Sequence, residues 1–398
     1  MVSSYIYSSR ALSIFQRFTS YLRPDAQVAI ANTNMNILFF IPSDPFIKNH
    51  WDGEQIRTGG AAVSGTHQTV VLVAEYLAKH TPHTIYVMNF VCNYKLHNGV
   101  QYVNMMHQLP EDIHVLVVPN WINHIPLPKI SALRHFIIWY HCCGYNAPAH
   151  QIMQSLVATN HVRISFVHLS DWSTANILHG FRNAFPVYKQ LKISNALMID
   201  TIPADIKFDI SRPNNSIFFA CWDRGAEMAE RCWNKLKAES PGGKWGDFLK
   251  LDYSTNIKGD KKFVFENFAN ARYFIYPLIN LKNNYIHRDT FSCTVAEAIA
   301  CGVEVLTYPI AALREYYDGL VTWIPMPVDV AAVEAHDLFI PCVPQLGSPS
   351  QDDHIIRLIE DIDANYASRE SLRRERAAKV IERFAPDNCL APWRALVE

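Results

Sequence analysis

The sequence predicts an α/β protein built from two Rossmann-like units in succession, each a parallel sheet flanked by helices, facing one another across a cleft. Three observations carry this. At 398 residues the chain exceeds one comfortable hydrophobic core, so two domains are the default. Its strand-like runs, such as Phe136–Tyr140 and, apart from His114, Ile113–Pro119, are continuously apolar, as strands covered on both faces are. The strand–helix alternation also breaks at a polar stretch, Pro203–Ser216, and then restarts.

Taken in order, residues 1–35 form an N-terminal extension. Met1 to Arg23 is serine-rich, carries three arginines and no acid, and sets Leu12, Ile14, Phe15, Phe18 and Leu22 on one helical face. This fits a helix packed on the first domain, an interfacial helix touching a lipid surface, or an organelle-targeting segment. Residues 36–190 read as the first Rossmann-like domain. Asn36–Ile41, Thr84–Asn89, Ile113–Pro119, Phe136–Tyr140 and Val162–Leu169 are its strands, and Gln68–Lys79 and Pro148–Ala158 have helical spacing. Residues 191–375 read as the second. Its strands are Ile217–Cys221, Phe248–Asp252, Tyr273–Tyr276 and Val303–Thr307, with helices over Ala226–Lys237 and from Cys293 to Cys301. Residues 376–398 close the chain with the end of a long Arg- and Glu-rich helix beginning at Glu370, then Phe384 and Trp393.

Composition narrows the function classes. With 49% hydrophobic and 18% charged residues the chain is an ordinary globular protein and not a disordered one. A formal net charge of −1 gives no support for a nucleic-acid partner. No run of 18 apolar residues is present to span a bilayer. The nine cysteines include no Cys-x-x-Cys, and Cys92, Cys221, Cys293 and Cys301 sit in apolar contexts, which favours reduced core thiols in a cytoplasm-like compartment. Most of the seventeen histidines fall in the first half, yet none has a metal-ligand spacing, so no metal site is expected.

Chemistry belongs where strands end and helices begin, because unpaired amides and the helix dipole favour phosphate there. One such place is Thr58-Gly59-Gly60-Ala-Ala-Val-Ser64-Gly65, whose glycines allow close backbone approach to a diphosphate or a sugar. It matches neither Gly-x-Gly-x-x-Gly nor a Walker loop, which counts against a dinucleotide or ATP enzyme, and it reads equally as a plain turn. A second is Asp223-Arg224-Gly225, where Arg224 suits a phosphate or a surface salt bridge. The third is Phe291-Ser292-Cys293-Thr294-Val295, opening an alanine-rich helix that carries one carboxylate, Glu297. A lone buried carboxylate is costly without a hydrogen-bond partner. Glu297 therefore either has a hidden partner in the fold or awaits a polar ligand such as a ribose.

Together these residues resemble the glycosyltransferases of GT-B fold, close to the glycosyltransferase group 1 and family 4 type. Asp289-x7-Glu297, followed by Ala-Ile-Ala-Cys-Gly-Val-Glu-Val, resembles the Glu-x7-Glu signature of that family. Tyr276-Pro277, Ala311–Gly319 with Glu315, Trp139-Tyr-His141, Ser170-Asp171-Trp172, Ser194-Asn195, and Phe384 with Trp393 resemble further family segments in the same order, over about residues 36–398.

The resemblance implies a two-domain GT-B fold whose C-terminal helix crosses back to the first domain. It also implies transfer of a sugar from a nucleotide-diphosphate sugar, the co-substrate, to a glycan, lipid or protein-linked hydroxyl, with no further cofactor. Residue by residue, Asp289 contacts the donor sugar, Glu297 holds the ribose, and Arg224 binds the diphosphate with the Ser292–Val295 amides. His141 lies near the sugar, and Gly59, Gly60 and Asn195 complete the donor site. Three departures stand out: the first acid is aspartate, Ser292 replaces a glycine, and the family's second cation is missing, with Lys250, Lys282 and Arg288 as candidates. The motif group implies retention of configuration without a metal. An inverting enzyme would need a general base, for which His141 or Asp171 is available. Two other readings remain open: a nucleotide-sugar 2-epimerase, and a non-catalytic GT-B subunit that binds a glycan or a partner.

Overall fold

The structure, a computed structural model, describes residues 34–41, 51–58, 64–89, 94–104, 112–119, 132–141, 162–181, 189–220, 222–240, 242–251, 261–330, 333 and 343–398. Most of the N-terminal extension, Gly59 and Gly60, and the expected Pro148–Ala158 helix lie outside the described residues.

The first unit contains strands β1 (Asn36–Phe40), β2 (Thr84–Asn89), β3 (Lys95–His97), β4 (Val100–Asn104), β5 (Val115–Pro119), β6 (His135–Tyr140), β7 (Arg163–His168) and β8 (Lys189–Lys192). They form one sheet in the order β3-β4-β2-β1-β5-β6-β7-β8. All neighbours run parallel except the β3–β4 hairpin. Helices α1 (Gly53–Thr58), α2 (Gly65–His80) and α3 (Asp171–Phe181) belong to this unit. The continuous apolar runs behave as double-sided strands should: every residue of β5 and β6 is buried. Side chains alternate across the sheet. Ile37, Phe39 and Trp139 join a core that continues into the second unit, whereas Leu38, Phe40, Phe136 and Ile138 form a separate core on the opposite face.

The second unit has β9 (Ser216–Phe219), β10 (Phe248–Leu251), β11 (Tyr273–Tyr276), β14 (Glu304–Thr307) and β15 (Thr322–Trp323) in the order β10-β9-β11-β14-β15, all parallel. Between β11 and β14 the small hairpin β12 (Ile279–Asn280) and β13 (Tyr285–Ile286) occupies the Leu278–Arg288 loop, which had no sequence signal of its own. This unit's helices include α4 (Ala226–Glu239), α5 (Lys261–Ala269), α6 (Cys293–Ala300), α7 (Ala312–Tyr317), α8 (Pro349–Ala364), α9 (Glu370–Arg383) and α10 (Ala391–Val397).

Two anchors fix the end of the chain. Glu304, fully buried at the start of β14, accepts Arg369 at 2.9 Å, Arg373 at 3.5 Å and Arg376 at 3.2 Å, which pins α9 to the second sheet. The chain then returns to the first unit. The Trp393 ring of α10 lies 4.5 Å from that of Trp139 on β6 and 6.1 Å from that of Phe39 on β1. Between the anchors the Phe384 carbonyl accepts from the Leu197 N–H at 2.8 Å, so the returning chain is tied to the segment that joins the two sheets. The C-terminal helix thus crosses back to the first domain.

Candidate functional site

In open parallel sheets the crevice for a ligand opens at the carboxyl ends of the strands, where the strand order reverses. In the second sheet that point lies between β9 and β11. The chain leaving β9 reaches Arg224, and the chain leaving β11 turns at Pro277–Leu278; the Arg224 carbonyl accepts from the Leu278 N–H at 2.9 Å. Gly225 makes this approach feasible. Its φ is 102°, and a Cβ there would stand 2.5 Å from the Pro277 ring.

Arg224 and Asp289 meet here. Arg224 Nε lies 3.3 Å from Asp289 Oδ1, and its Nη1 lies 3.4 Å from Asp223 Oδ1. His287 Nε2 lies 3.2 Å from the same Asp289 Oδ1, and the Tyr276 hydroxyl donates to Oδ2 at 2.6 Å. Burial alone would raise the Asp289 carboxyl. The Arg224 charge, with the His287 and Tyr276 hydrogen bonds, outweighs it and holds the group well below the ordinary carboxylate range. Asp289 is therefore an ionised organiser of Arg224 and His287, and Arg224 is shared between two carboxylates.

Helix α6 begins four residues further on. Ser292 caps it, its hydroxyl accepting from the Val295 N–H at 3.4 Å, while the Ser292 carbonyl accepts from the Tyr317 hydroxyl at 2.7 Å. The helix ends in a Schellman turn: Val303 N–H donates to the Ala298 carbonyl at 3.0 Å and Gly302 N–H to that of Ile299 at 2.8 Å. The φ of 72° at Gly302 is what this turn requires. Cys293 and Thr294 are half-buried and Val295 is fully buried.

The first unit closes on this helix end. A Cβ on Gly65, at the start of α2, would lie 3.5 Å from Cys293 Sγ. Asn195 Nδ2 lies 3.7 Å from the same sulfur, and Asn195 Oδ1 is buried with no hydrogen-bond partner. Burial, with the Glu297 charge nearby, pushes the Cys293 thiol up to about 12, so it stays neutral. The Thr290 hydroxyl donates to the His141 carbonyl at 2.6 Å, which brings the carboxyl end of β6 beside Asp289. Burial, with His67 close by, holds the His141 imidazole down at about 3. His67 itself hydrogen-bonds Ser64 at 2.7 Å through Nδ1, at the entrance to α2.

A second set of contacts joins the units through α7. The Glu315 carboxylate of α7 caps α3, accepting from the Asp171 N–H at 2.9 and 3.1 Å and from the Trp172 N–H at 3.3 Å, with Lys192 Nζ 3.2 Å from Oε1. Asp171 is exposed and paired with Lys192 at 2.5 Å.

Glu297 does have a partner within the fold. Oε1 accepts a short hydrogen bond from the Lys261 ammonium, and both side chains are almost wholly buried, at 3% and 5% exposure. Oε2 is also buried but has no hydrogen-bond partner. The two possibilities open in the sequence are thus both present in one carboxylate: one oxygen is neutralised by the protein and the other is unsatisfied.

The structure therefore brings together Arg224, Asp289, Ser292, Cys293, Thr294, Val295, Glu297, His141 and Asn195 at the junction of the two units. Of the candidate second cations, Lys250 pairs with Glu230 at 3.2 Å on the outer surface, and Arg288 donates to the Val333 carbonyl at 3.2 Å. Lys261 and His287 carry no motif in the sequence, and Tyr276 reads there only as a strand end before Pro277. Among the described residues, no three His, Cys, Asp or Glu side chains gather so as to hold a metal ion, and no helix is long and apolar enough to cross a membrane.

No family model matches the chain, and no curated relative matches it. Solved structures do. It is similar to sucrose-phosphate synthase from Thermosynechococcus elongatus, with 12% identity over 92% of this chain and 98% of that one, at a TM-score of 0.56. It is also similar to the N-terminal domain of trehalose-6-phosphate phosphatase from Candida albicans (8% identity, 94% and 98% coverage, TM-score 0.56). A third match is an alpha-glucosyltransferase in complex with UDP-glucose and DNA containing an abasic site (10% identity, 92% and 100% coverage, TM-score 0.52). At such identities the likeness establishes the fold, and that fold is GT-B: two Rossmann-like domains facing a cleft, with a C-terminal helix crossing back.

Proposed function

We propose, with the GT-B fold as the premise, that this protein is a glycosyltransferase moving a sugar from a nucleotide-diphosphate sugar to an acceptor hydroxyl, with retention and without a metal. The observation that carries the reading is the convergence at the domain junction of the capped α6 N-terminus, Arg224 and the unsatisfied Glu297 Oε2. In this reading the Cys293 and Thr294 amides and Arg224 take up the charge that grows on the departing diphosphate, the Val295 amide being held by the Ser292 cap. Glu297 accepts from the ribose, while Asp289, His141 and Asn195 border the sugar. Gly59 and Gly60, which precede α2 in the sequence, complete the donor site in this reading.

Retention is favoured by what the junction withholds. Asp289 is bound by Arg224, His287 and Tyr276, so it is poorly placed to act as a nucleophile. An imidazole held at about 3 is a weak base at neutral pH. The acceptor oxygen then bonds to the anomeric carbon as the carbon–phosphate oxygen bond breaks on the same face. The acceptor proton passes to the departing phosphate.

One observation favours a second reading, a non-catalytic sugar- or partner-binding protein: Arg224 is already shared between Asp223 and Asp289. A screen of UDP-, GDP- and ADP-sugars without acceptor, following release of nucleoside diphosphate, separates the two. Slow hydrolysis of one donor is expected, and Arg224→Ala should reduce it by about 100-fold or more with the circular dichroism unchanged. Normal turnover by both Arg224→Ala and Glu297→Ala would sink the site assignment, and a sugar epimer as product would identify an epimerase instead.

A further inference from the structure

The Lys261–Glu297 pair sits where two helices are locked together. Arg212, itself buried, donates to the Ala269 carbonyl at 3.0 Å and the Phe268 carbonyl at 3.1 Å at the end of α5, and to the Gly302 carbonyl at 2.6 Å beyond the end of α6. With their carboxyl ends tied to one guanidinium, α5 and α6 present Lys261 and Glu297 to each other in a fixed relation. Helix α5 packs against α1 of the first unit and against the Ile199–Thr201 turn that joins the units. Glu297 follows Cys293 by four residues, so the two share a helical face, and Cys293 faces Asn195 and the space beside Gly65 that a Cβ would fill. The ion pair therefore belongs to the wall of the domain junction and not to the interior of one sheet.

Lys261 occupies Oε1 alone. A carboxylate with both oxygens open can take two neighbouring hydroxyls, one on each; here only Oε2 remains to accept. Lysine at this point also leaves the pair neutral, so a sugar hydroxyl entering beside it meets a dipole and not a buried net charge.

Resting on the glycosyltransferase reading, we infer that Lys261 is a positioning residue that makes Glu297 read one hydroxyl of the donor's ribose instead of both. The lysine holds Oε1 and fixes the carboxylate plane. Oε2 then accepts from a single hydroxyl, and the neighbouring one is left to other contacts or to water.

The test begins on the unmodified protein. Isothermal titration with UDP, GDP and ADP identifies the nucleoside diphosphate that binds, and its 2′-deoxy and 3′-deoxy forms are then compared. One deoxy form should bind about tenfold or more weakly, as for loss of a hydrogen bond to a charged group, and the other within about twofold of the parent. Lys261→Met frees Oε1, so both deoxy forms should then bind weakly relative to the parent. Lys261→Gln, whose amide can still donate to Oε1, should keep the asymmetry. Equal loss for both deoxy forms on the unmodified protein overturns the inference without any variant having to fold. So does an asymmetry that persists unchanged in Lys261→Met. Either result leaves the glycosyltransferase reading standing, whereas binding of no nucleoside diphosphate overturns both.

Discussion

Two carboxylates in the same loop–helix segment, Asp289 and Glu297, meet burial in opposite ways. Glu297 is matched by one ammonium and keeps an unsatisfied oxygen. Asp289 is surrounded by Arg224, His287 and Tyr276, which keep it ionised in spite of burial. The sequence displays both acids at a recognisable spacing but not their partners. Lys261 lies 36 positions from Glu297 and Arg224 65 from Asp289, and such pairs are set by where helices dock. A depressed carboxylate has a definite pH signature. Its contribution to stability is complete above the unfolded value near 3.8 and is lost as pH falls from there toward the lower folded value. Melting temperature followed from pH 6 to pH 2 should therefore fall more steeply in the wild type than in Asp289→Asn, the variant being the less stable at neutral pH. Parallel curves would show that Asp289 gains nothing from its ionised state.

Among the elements, strands were the most legible and the hairpins the least. β1, β6 and β11 are runs rich in large apolar residues, and burial on two faces leaves them no alternative pattern. The β12–β13 hairpin has two residues per strand, too few for a period to register, and it is fixed by its link through Leu278 to both Arg224 and His287. Helix α5 is hard to read because a lysine, Lys261, sits on its buried stripe with Val264, Phe265 and Phe268, while Phe263 lies off that stripe. Helix α3 shows how an element can depend on a distant one, since Glu315 of α7 caps its first turn across the domain junction. Glu315→Ala should lower unfolding stability by about 1 kcal/mol in denaturant titration, the usual worth of a helix cap. Glu315→Gln, which can still accept from the Asp171 and Trp172 amides, should recover most of that. An alanine variant as stable as the wild type would mean water caps α3 equally well.

At the scale of the whole molecule, the two sheets are joined by the returning tail. Trp393 is fully buried against Trp139 and Phe39, and Phe384 packs edge-on against Phe291 at 5.1 Å beside Tyr316 and Tyr317. The same aromatic cluster touches the residue just before the Ser292 cap, so the tail buttresses the opening of α6 as well as the first sheet. Trp393→Ala should cost about 3–5 kcal/mol, the range for emptying a large aromatic site, seen as a lower urea midpoint. A midpoint shift equivalent to less than about 1 kcal/mol would mean that α10 merely decorates the first unit.

What the sequence determined by itself was the arrangement of elements: two parallel sheets, the break between them, the aromatic tail, and the Asp289–Gly302 segment as a loop, a capped helix and a glycine stop. Those features are written in local periodicity, capping residues and turn chemistry, which act over a few residues. Only the tertiary structure decided how the charges are matched. Burial makes an unpaired charge costly, but which group answers it depends on docking between helices far apart in sequence. Hence Lys261 came to Glu297, two carboxylates came to Arg224, and one carboxylate oxygen, Glu297 Oε2, was left unmatched.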